Sequence, residues 1–372
     1  MAEKIPVTIV SGFLGAGKTT LINKVLKEKH DQHIAVIINE FGEVGVDHQF
    51  VLDVEEEIYQ MDNGCLCCTL RTDIADMLRS ILTVKEKNGV KVDRILFETT
   101  GIADPSPIAQ TFINVPFLNE HFIIDAVLTV VDSKNFLFQT AHQDEPAKQV
   151  GFADKIFMSK HSLVTDNIYR KVIEEVRSIN AFAEIQDLDE KPVTLADMFD
   201  LQLFYASEKK IRAMEQVAKE EEEEHHHDHD EHACCHHHED GEECHCHDHD
   251  ECDCDHDHHH DHECHHHHHK KHHSGINSFV IEADKPLVLA NINEWLNELV
   301  YMYGQELYRY KGLLYVEGLD YQIIFQGVQM SFDISRGRNW SEDEEHKSTL
   351  VFIGKNLPEE ELRKSFIECT EK

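Results

Sequence analysis

Val7-Thr8-Ile9-Val10-Ser11-Gly12-Phe13-Leu14-Gly15-Ala16-Gly17-Lys18-Thr19-Thr20 decides the fold of this chain. Val7–Val10 is a short apolar strand, and Gly12–Thr19 fits the pattern G-x-x-x-x-G-K-[ST]. Glycines let such a loop curl until several backbone N–H groups point inward at phosphate oxygens. Lys18 then reaches the β- and γ-phosphates as a catalytic cation, and the Thr19 hydroxyl is placed to ligate Mg²⁺. The helix that follows adds the positive end of its dipole to the attraction. Gly12, Gly15, Ala16, Gly17, Lys18, Thr19 and Thr20 form the expected nucleotide-binding set. A glycine-rich turn without a ligand would not need the strand before it and the amphipathic helix after it.

Outward from this loop, short apolar runs alternate with longer helical patterns as far as residue 205. The expected strands are Val7–Val10, His33–Ile38, Arg94–Phe97, Ile123–Val131 and Lys155–Met158, and the expected helices include Lys18–Lys29, Thr72–Lys87 and Asp166–Ile179. Strands that are continuously apolar suit a parallel sheet covered on both faces, hence an α/β class, doubly wound, mostly parallel P-loop NTPase sheet. Periodicity stops from Lys219 to His273, where Glu, His, Asp and Cys leave almost nothing to bury. That stretch is expected to be disordered without metal. It returns at Gly275 with a strand (Ile276–Ile281), a helix (Pro286–Tyr303), β-rich runs (Tyr308–Val316, Tyr321–Val328, Thr349–Ile353) and a last helix (Glu359–Ile367). The expected organisation is a nucleotide-hydrolysing domain over 1–205, a His/Asp/Glu/Cys-rich linker over 206–274, and a smaller α+β domain over 275–372.

Two further motifs carry chemistry. Glu98-Thr99-Thr100-Gly101 follows the strand Ile95-Leu96-Phe97. An acid at a strand end beside the phosphate loop can hold the metal's water shell, and a glycine after it lets backbone approach the γ-phosphate and respond to its loss. Glu98 and Gly101 therefore join Lys18 as expected catalytic residues. Gly64-Cys65-Leu66-Cys67-Cys68 places three thiols within four residues, too close to bridge one another readily. Thiolates on such a loop bind soft or borderline metals, whereas three buried inert cysteines would not call for the flanking Asn63 and Gly64. A fourth ligand must come from elsewhere, and Asn39-Glu40-Phe41-Gly42-Glu43 supplies carboxylates on a loop at the end of the second strand.

These motifs together resemble the CobW/YjiA-type P-loop GTPases: Gly12–Thr20, Asn39–Glu43, Gly64–Cys68, and Glu98–Gly101 with Ala103-Asp104-Pro105. The far segments Arg309-Tyr310-Lys311-Gly312, Phe325-Gln326-Gly327-Val328 and Val351-Phe352-Ile353-Gly354 extend the likeness to both globular parts. The resemblance implies GTP and Mg²⁺ as cofactors, hydrolysis of GTP to GDP and phosphate, and the handling of zinc, or else cobalt or nickel, for a client metalloprotein. It implies that Cys65, Cys67 and Cys68 match the family's C-x-C-C metal site and that Glu43 lies in the loop joining metal to nucleotide. It also assigns Ser159 and Lys160 to the base-reading element, written [NT]-K-x-D in the family. Here that element is Ser159-Lys160-His161-Ser162. Ser162 lacks the carboxylate that accepts both guanine N1–H and N2–H₂, so the sequence implies weakened selectivity for GTP over ATP.

Between His225 and His273 lie 23 histidines and seven cysteines, with His-Asp-His repeated at 227–229, 247–249 and 256–258. Imidazole suits zinc, nickel and copper, and thiolate favours zinc and Cu(I). The segment is expected to gather metal in many overlapping weak sites and raise its concentration near the cysteine cluster. The net charge of −36 is uneven, since residues 220–273 hold 20 Asp/Glu against Lys270 and Lys271. Such a surface repels phosphate backbones, so neither nucleic acid nor an anionic membrane is an expected partner. The N-terminus has no secretory pattern, no apolar run approaches the roughly 20 residues of a span, and clustered cysteines beside histidines point to a reducing, cytoplasmic setting. Two alternatives compete: a metal buffer with a vestigial phosphate loop, and a small-molecule kinase, for which no acceptor residues stand out.

Overall fold

The structure is a computed structural model that describes residues 4–28, 31–39, 58–61, 69–88, 91–227, 275–341 and 343–371. Seven parallel strands form the first sheet: β1 (Ile5–Gly12), β2 (Ile34–Asn39), β3 (Ile58–Met61), β4 (Arg94–Glu98), β5 (Phe122–Asp132), β6 (Lys155–Ser159) and β7 (Glu184–Asp187). Their spatial order is β3-β2-β4-β1-β5-β6-β7, with β1 between β4 and β5. Successive residues of these strands alternate between two apolar layers. Val7, Ile9, Ile95 and Phe97 enter one layer, while Val10, Leu96, Leu128 and Val130 enter the other. Because both faces are covered, the strands read as unbroken apolar runs.

The helices follow in chain order: α1 (Lys18–Leu26), α2 (Thr69–Asn88), α3 (Ser106–Asn114), α4 (Pro116–His121), α5 (Phe136–His142), α6 (Glu145–Phe152), α7 (Asp166–Ile179), α8 (Leu195–Met198) and α9 (Glu208–His227). α7 begins where expected because Thr165 caps it, its hydroxyl accepting the Ile168 N–H. α9 carries helix through residues 220–227, the front of the segment expected to be irregular. Glutamate is a good helix former and extends a helix already begun. The His/Cys-rich residues 228–274 lie outside the described residues.

A second, antiparallel sheet contains β8 (Ile276–Ala283), β9 (Leu307–Leu314), β10 (Tyr321–Val328), β11 (Ser331–Asn339) and β12 (Ser348–Lys355), in the order β11-β10-β9-β12-β8. One face packs on α10 (Leu289–Tyr303) and α11 (Glu359–Glu368) through Phe279, Tyr310, Phe352, Trp295 and Phe366. The other face joins the first sheet's core: Ile276, Tyr308, Val328 and Ile353 share a cluster with Ala147, Val150 and Phe152 of α6. Cys369 is buried, its Sγ is 3.5 Å from the Ser365 carbonyl, and burial pushes its thiol up to about 11, so it stays a protonated core residue.

The strand alternation explains the Arg309-Tyr310-Lys311-Gly312 motif. Tyr310 points into the second core, while Arg309 and Lys311, two residues apart, point together at Asp154. Gly312 and Gly327 allow close packing, since a Cβ on Gly327 would meet the Tyr310 ring at 2.1 Å and one on Gly312 would meet Leu350 Cδ2 at 2.1 Å. Gln110 and Asn114 of α3 add side-chain hydrogen bonds to Gln329 and Ser331 beside β10 and β11.

Candidate functional site

The carboxyl ends of β1, β4, β5, β6 and β7 meet along one edge of the first sheet, where ligands of open α/β sheets bind. At β1 the chain turns into the phosphate loop. Gly12, Gly15 and Gly17 have φ of 137°, 72° and 103°, values that other residues adopt only with strain. Gly12 also has no room for a side chain, because a Cβ there would lie 2.4 Å from the Val130 carbonyl oxygen. Lys18 is largely buried and folds back so that its Nζ donates to the Gly12 carbonyl at 2.8 Å and lies 3.4 Å from that of Phe13. The loop is thereby held curled around its own ammonium group, and a triphosphate would take over these contacts.

Thr19 Oγ1 donates to Glu98 Oε1 at 2.8 Å. Glu98 ends β4, immediately beside β1, and is buried. A hydroxyl and a carboxylate converging next to a phosphate loop fit the oxygen-rich, partly hydrated coordination of Mg²⁺. Thr19 would hold the ion directly and Glu98 would hold it or its water shell. When bound, Mg²⁺ neutralises charge developing on the phosphate oxygens.

After Glu98 the backbone crosses over the phosphate loop. A Cβ on Gly101 would lie 2.6 Å from Leu14 Cδ2 and 2.8 Å from Leu14 Cα and N, so only glycine permits this approach. Gln149 of α6 secures the crossing, its Nε2 donating to the carbonyls of Gly101 at 3.2 Å and Ala103 at 3.0 Å. Asp104 accepts the Ser106 N–H at 2.8 Å and starts α3. Gly101→Ala would push this segment and the phosphate loop apart. Displacements near 1 Å cost about 100-fold in rate, so single-turnover GTP hydrolysis by this variant should be about 100-fold slower while its thermal unfolding changes little.

On the far side, Ser159 Oγ lies 2.7 Å from the Ala16 carbonyl and 3.1 Å from that of Val131. Lys160 adopts a left-handed conformation, φ 62°, which sends its side chain back across the loop. Its Nζ donates to the Gly15 carbonyl at 2.7 Å and to Asp132 Oδ2 at 2.7 Å. Burial alone would raise the Asp132 carboxyl, but hydrogen bonds from Lys160 and Asn135 outweigh it and hold the acid below its usual range. His161 donates or accepts at Nδ1 with Asp187 Oδ2, 2.6 Å away, and stacks on the Tyr169 ring at 3.6 Å. The Ser162 N–H donates to Asp189 Oδ2 at 2.7 Å.

Comparison with known proteins decides the family. The model of the CobW/HypB/UreG nucleotide-binding domain matches residues 6–187, and that of the cobalamin synthesis protein CobW C-terminal domain matches residues 276–370. The chain belongs to the CobW/HypB/UreG family of P-loop GTPases. It is 32% identical over 362 residues to the zinc chaperone YjiA of Escherichia coli, covering 97% of this chain and 98% of that one. A zinc-regulated GTPase metalloprotein activator of Dictyostelium discoideum is 31% identical over 239 residues, covering 54% of this chain and 49% of that one. A crystal structure of Zn(II)-bound YjiA GTPase from E. coli superposes with a TM-score of 0.73 at 29% identity, covering 99% of each chain.

In this CobW-family chain the described residues bring Gly12, Gly15, Ala16, Gly17, Lys18, Thr19, Glu98, Gly101, Ser159 and Lys160 to one sheet edge. Thr20 is on α1 and exposed. Glu43, Cys65, Cys67 and Cys68 lie outside the described residues. Sequence reasoning passed over Asp132, Gln149 and Asp189. Asp132 ends an apolar strand, a position that could have marked it, but nothing local distinguishes Gln149 from any polar residue on a short helix. No described helix is long and apolar enough to cross a membrane.

Proposed function

We propose that this GTPase is a cytoplasmic metallochaperone: it binds zinc at Cys65, Cys67 and Cys68 with Glu43, and couples GTP hydrolysis to delivery of the metal to a client protein. In this reading residues 1–205 bind and hydrolyse GTP with Mg²⁺, the segment 206–274 gathers metal, and residues 275–372 meet the client. The observation that carries it is the shared sheet edge. β2 stands next to β4 in the sheet with β3 beyond it at the edge, and the phosphate loop follows β1 on the other side of β4. Asn39 ends β2 just before the Glu43 segment, while Met61 ends β3 and Thr69 begins α2 on either side of the three cysteines. That these chain ends leave the same sheet edge as the phosphate loop supports coupling of both segments to the γ-phosphate. The names of the relatives, zinc chaperone and zinc-regulated GTPase, support zinc as the cargo.

Lys18 draws the β/γ-phosphates against the loop N–H groups, and the backbone at Gly101 stands where the γ-phosphate leaves. Coupling predicts that zinc affinity differs about tenfold between the apo and Mg–GTP-analogue states, and that zinc shifts nucleotide affinity by the same factor. Zinc titrations against a chromophoric chelator, with and without Mg and a non-hydrolysable GTP analogue, measure this. Cys67→Ala should weaken zinc and abolish the difference. Equal zinc affinity in both states would refute the coupling, and a fully active GTPase without zinc binding at these thiols would refute the cargo site.

A further inference from the structure

We infer that Asp189, from the loop after β7, supplies the carboxylate that reads guanine in this chain, taking the part that Ser162 cannot play. The phosphates sit at the end of β1, and the sheet continues through β5 and β6 to β7, so a nucleotide base extended along this edge reaches the loops after β6 and β7. Lys160 marks its path. Its ammonium is pinned to the Gly15 carbonyl and Asp132, which lays its aliphatic stem across the crevice as a platform for a purine.

At the far end of that platform Ser162 meets Asp189 of the β7 loop, its N–H donating to Asp189 Oδ2 at 2.7 Å and its hydroxyl adding a second hydrogen bond. The carboxylate therefore stands at the backbone of the very residue that lacks one. Asp187 is already committed: Oδ2 lies 2.6 Å from His161 Nδ1, and Oδ1 accepts the Asp189 N–H at 2.8 Å. Asp189 is exposed, and the N–H of Ser162 holds its carboxyl below the usual range, so it is ionised at neutral pH.

An ionised carboxylate offers about four lone-pair positions, of which the Ser162 N–H and hydroxyl use two. Guanine presents two adjacent donors, N1–H and N2–H₂, which suit the remainder. Adenine presents an acceptor at N1, which the carboxylate repels. The charge needed for selectivity has moved from the β6 loop to the β7 loop, and the weakened discrimination implied by Ser162 alone is compensated.

The test exchanges donors and acceptors without removing the Ser162 contact. Asp189→Asn keeps an oxygen for the Ser162 N–H but presents an amide to the base, and xanthine, with a carbonyl at C2, complements that amide. Calorimetric titration of the full-length chain with Mg²⁺ and GDP, XDP or ADP is the measurement. The wild type should prefer GDP over both. D189N should lose about 10- to 100-fold in GDP affinity, the range for hydrogen bonds to a charged group, and gain XDP affinity by a similar factor. Adding Ser162→Asp to D189N should restore GDP binding, which distinguishes a lost carboxylate from a damaged fold. Glu190→Gln, on the exposed neighbour, should leave the GDP to XDP ratio unchanged. An unchanged ratio in D189N, an equal change in E190Q, or a wild type that binds ADP as well as GDP would each overturn the assignment.

Discussion

Lys18→Ala should lower kcat/KM for GTP by about 100- to 1,000-fold, the usual loss when one preorganised donor to a charged transition state is removed. The expected size follows from two roles of the same ammonium group. It is the cation that meets phosphate charge, and it donates to the Gly12 carbonyl at 2.8 Å, keeping the loop curled before nucleotide arrives. Alanine removes both the charge and the internal tie. Lys18→Arg restores charge but brings a planar fork too large for this curl, so it should recover little activity. Steady-state hydrolysis assays with GTP provide the check. Zinc bound in the absence of nucleotide should stay at the wild-type level, because Lys18 stands at the phosphates. A variant that hydrolyses GTP normally would mean that the loop does not grip a triphosphate.

Asp154→Ala should destabilise the chain by about 3–5 kcal/mol, the cost of breaking a buried ion pair by deleting one partner. Asp154 sits between β5 and β9, its Oδ2 accepting the Val127 N–H at 2.9 Å and its Oδ1 lying 3.0 Å from Arg309 Nη2 and 3.4 Å from Lys311 Nζ. The side chains of Asp154, Arg309 and Lys311 are each no more than 6% exposed. Burial pushes the Asp154 carboxyl up, but Arg309 and Lys311 outweigh it and hold the acid below its usual range. Its contribution is therefore present above the unfolded value, near pH 4, and is lost as pH falls through the folded value. Lys311 moves the other way in spite of Asp154. One carboxylate cannot serve two buried cations, the guanidinium keeps its proton, and burial lowers the lysine to about 7. The unfolded chain thus binds more protons than the folded one between about pH 7 and 10, so this group's penalty is full below pH 7 and is relieved as pH rises. Chemical denaturation should find Asp154→Ala more damaging at pH 6, where it strands two charges, than at pH 9, where it strands one. A loss that is small and independent of pH would refute this account.

The sequence carried the elements whose physics is local. The phosphate loop, the helix Asp166–Ile179 and the strand Tyr321–Val328 are read from patterns of a few residues, and they stand at those positions. β3 and β7 were missed because each is only four residues long, too short to show a period, and both lie at the edges of the sheet. β11 was missed because its apolar alternation is only two residues long, Phe332 and Ile334, before it turns polar over residues 335–339. The helices between Ser106 and Phe152 are six to nine residues long, below the length at which helical spacing stands out. At the site, the residues named from motifs are those whose chemistry fixes their spacing. Gln149 is 48 residues from Gly101 in sequence, and Asp189 is 27 from Ser162, so each is brought in only by the completed sheet.

The shared cluster of α6 with Ile276, Tyr308 and Ile353 has a practical consequence for anyone dissecting the molecule. A truncated protein ending near residue 205 would strip the cover from Ala147, Val150 and Phe152 and leave the Asp154 carboxylate without either of its cations. That fragment would be adhesive and would melt below the intact chain. Melting should register as one cooperative event spanning both sheets, because the shared cluster and the Asp154 ion pairs tie the described residues of the two together.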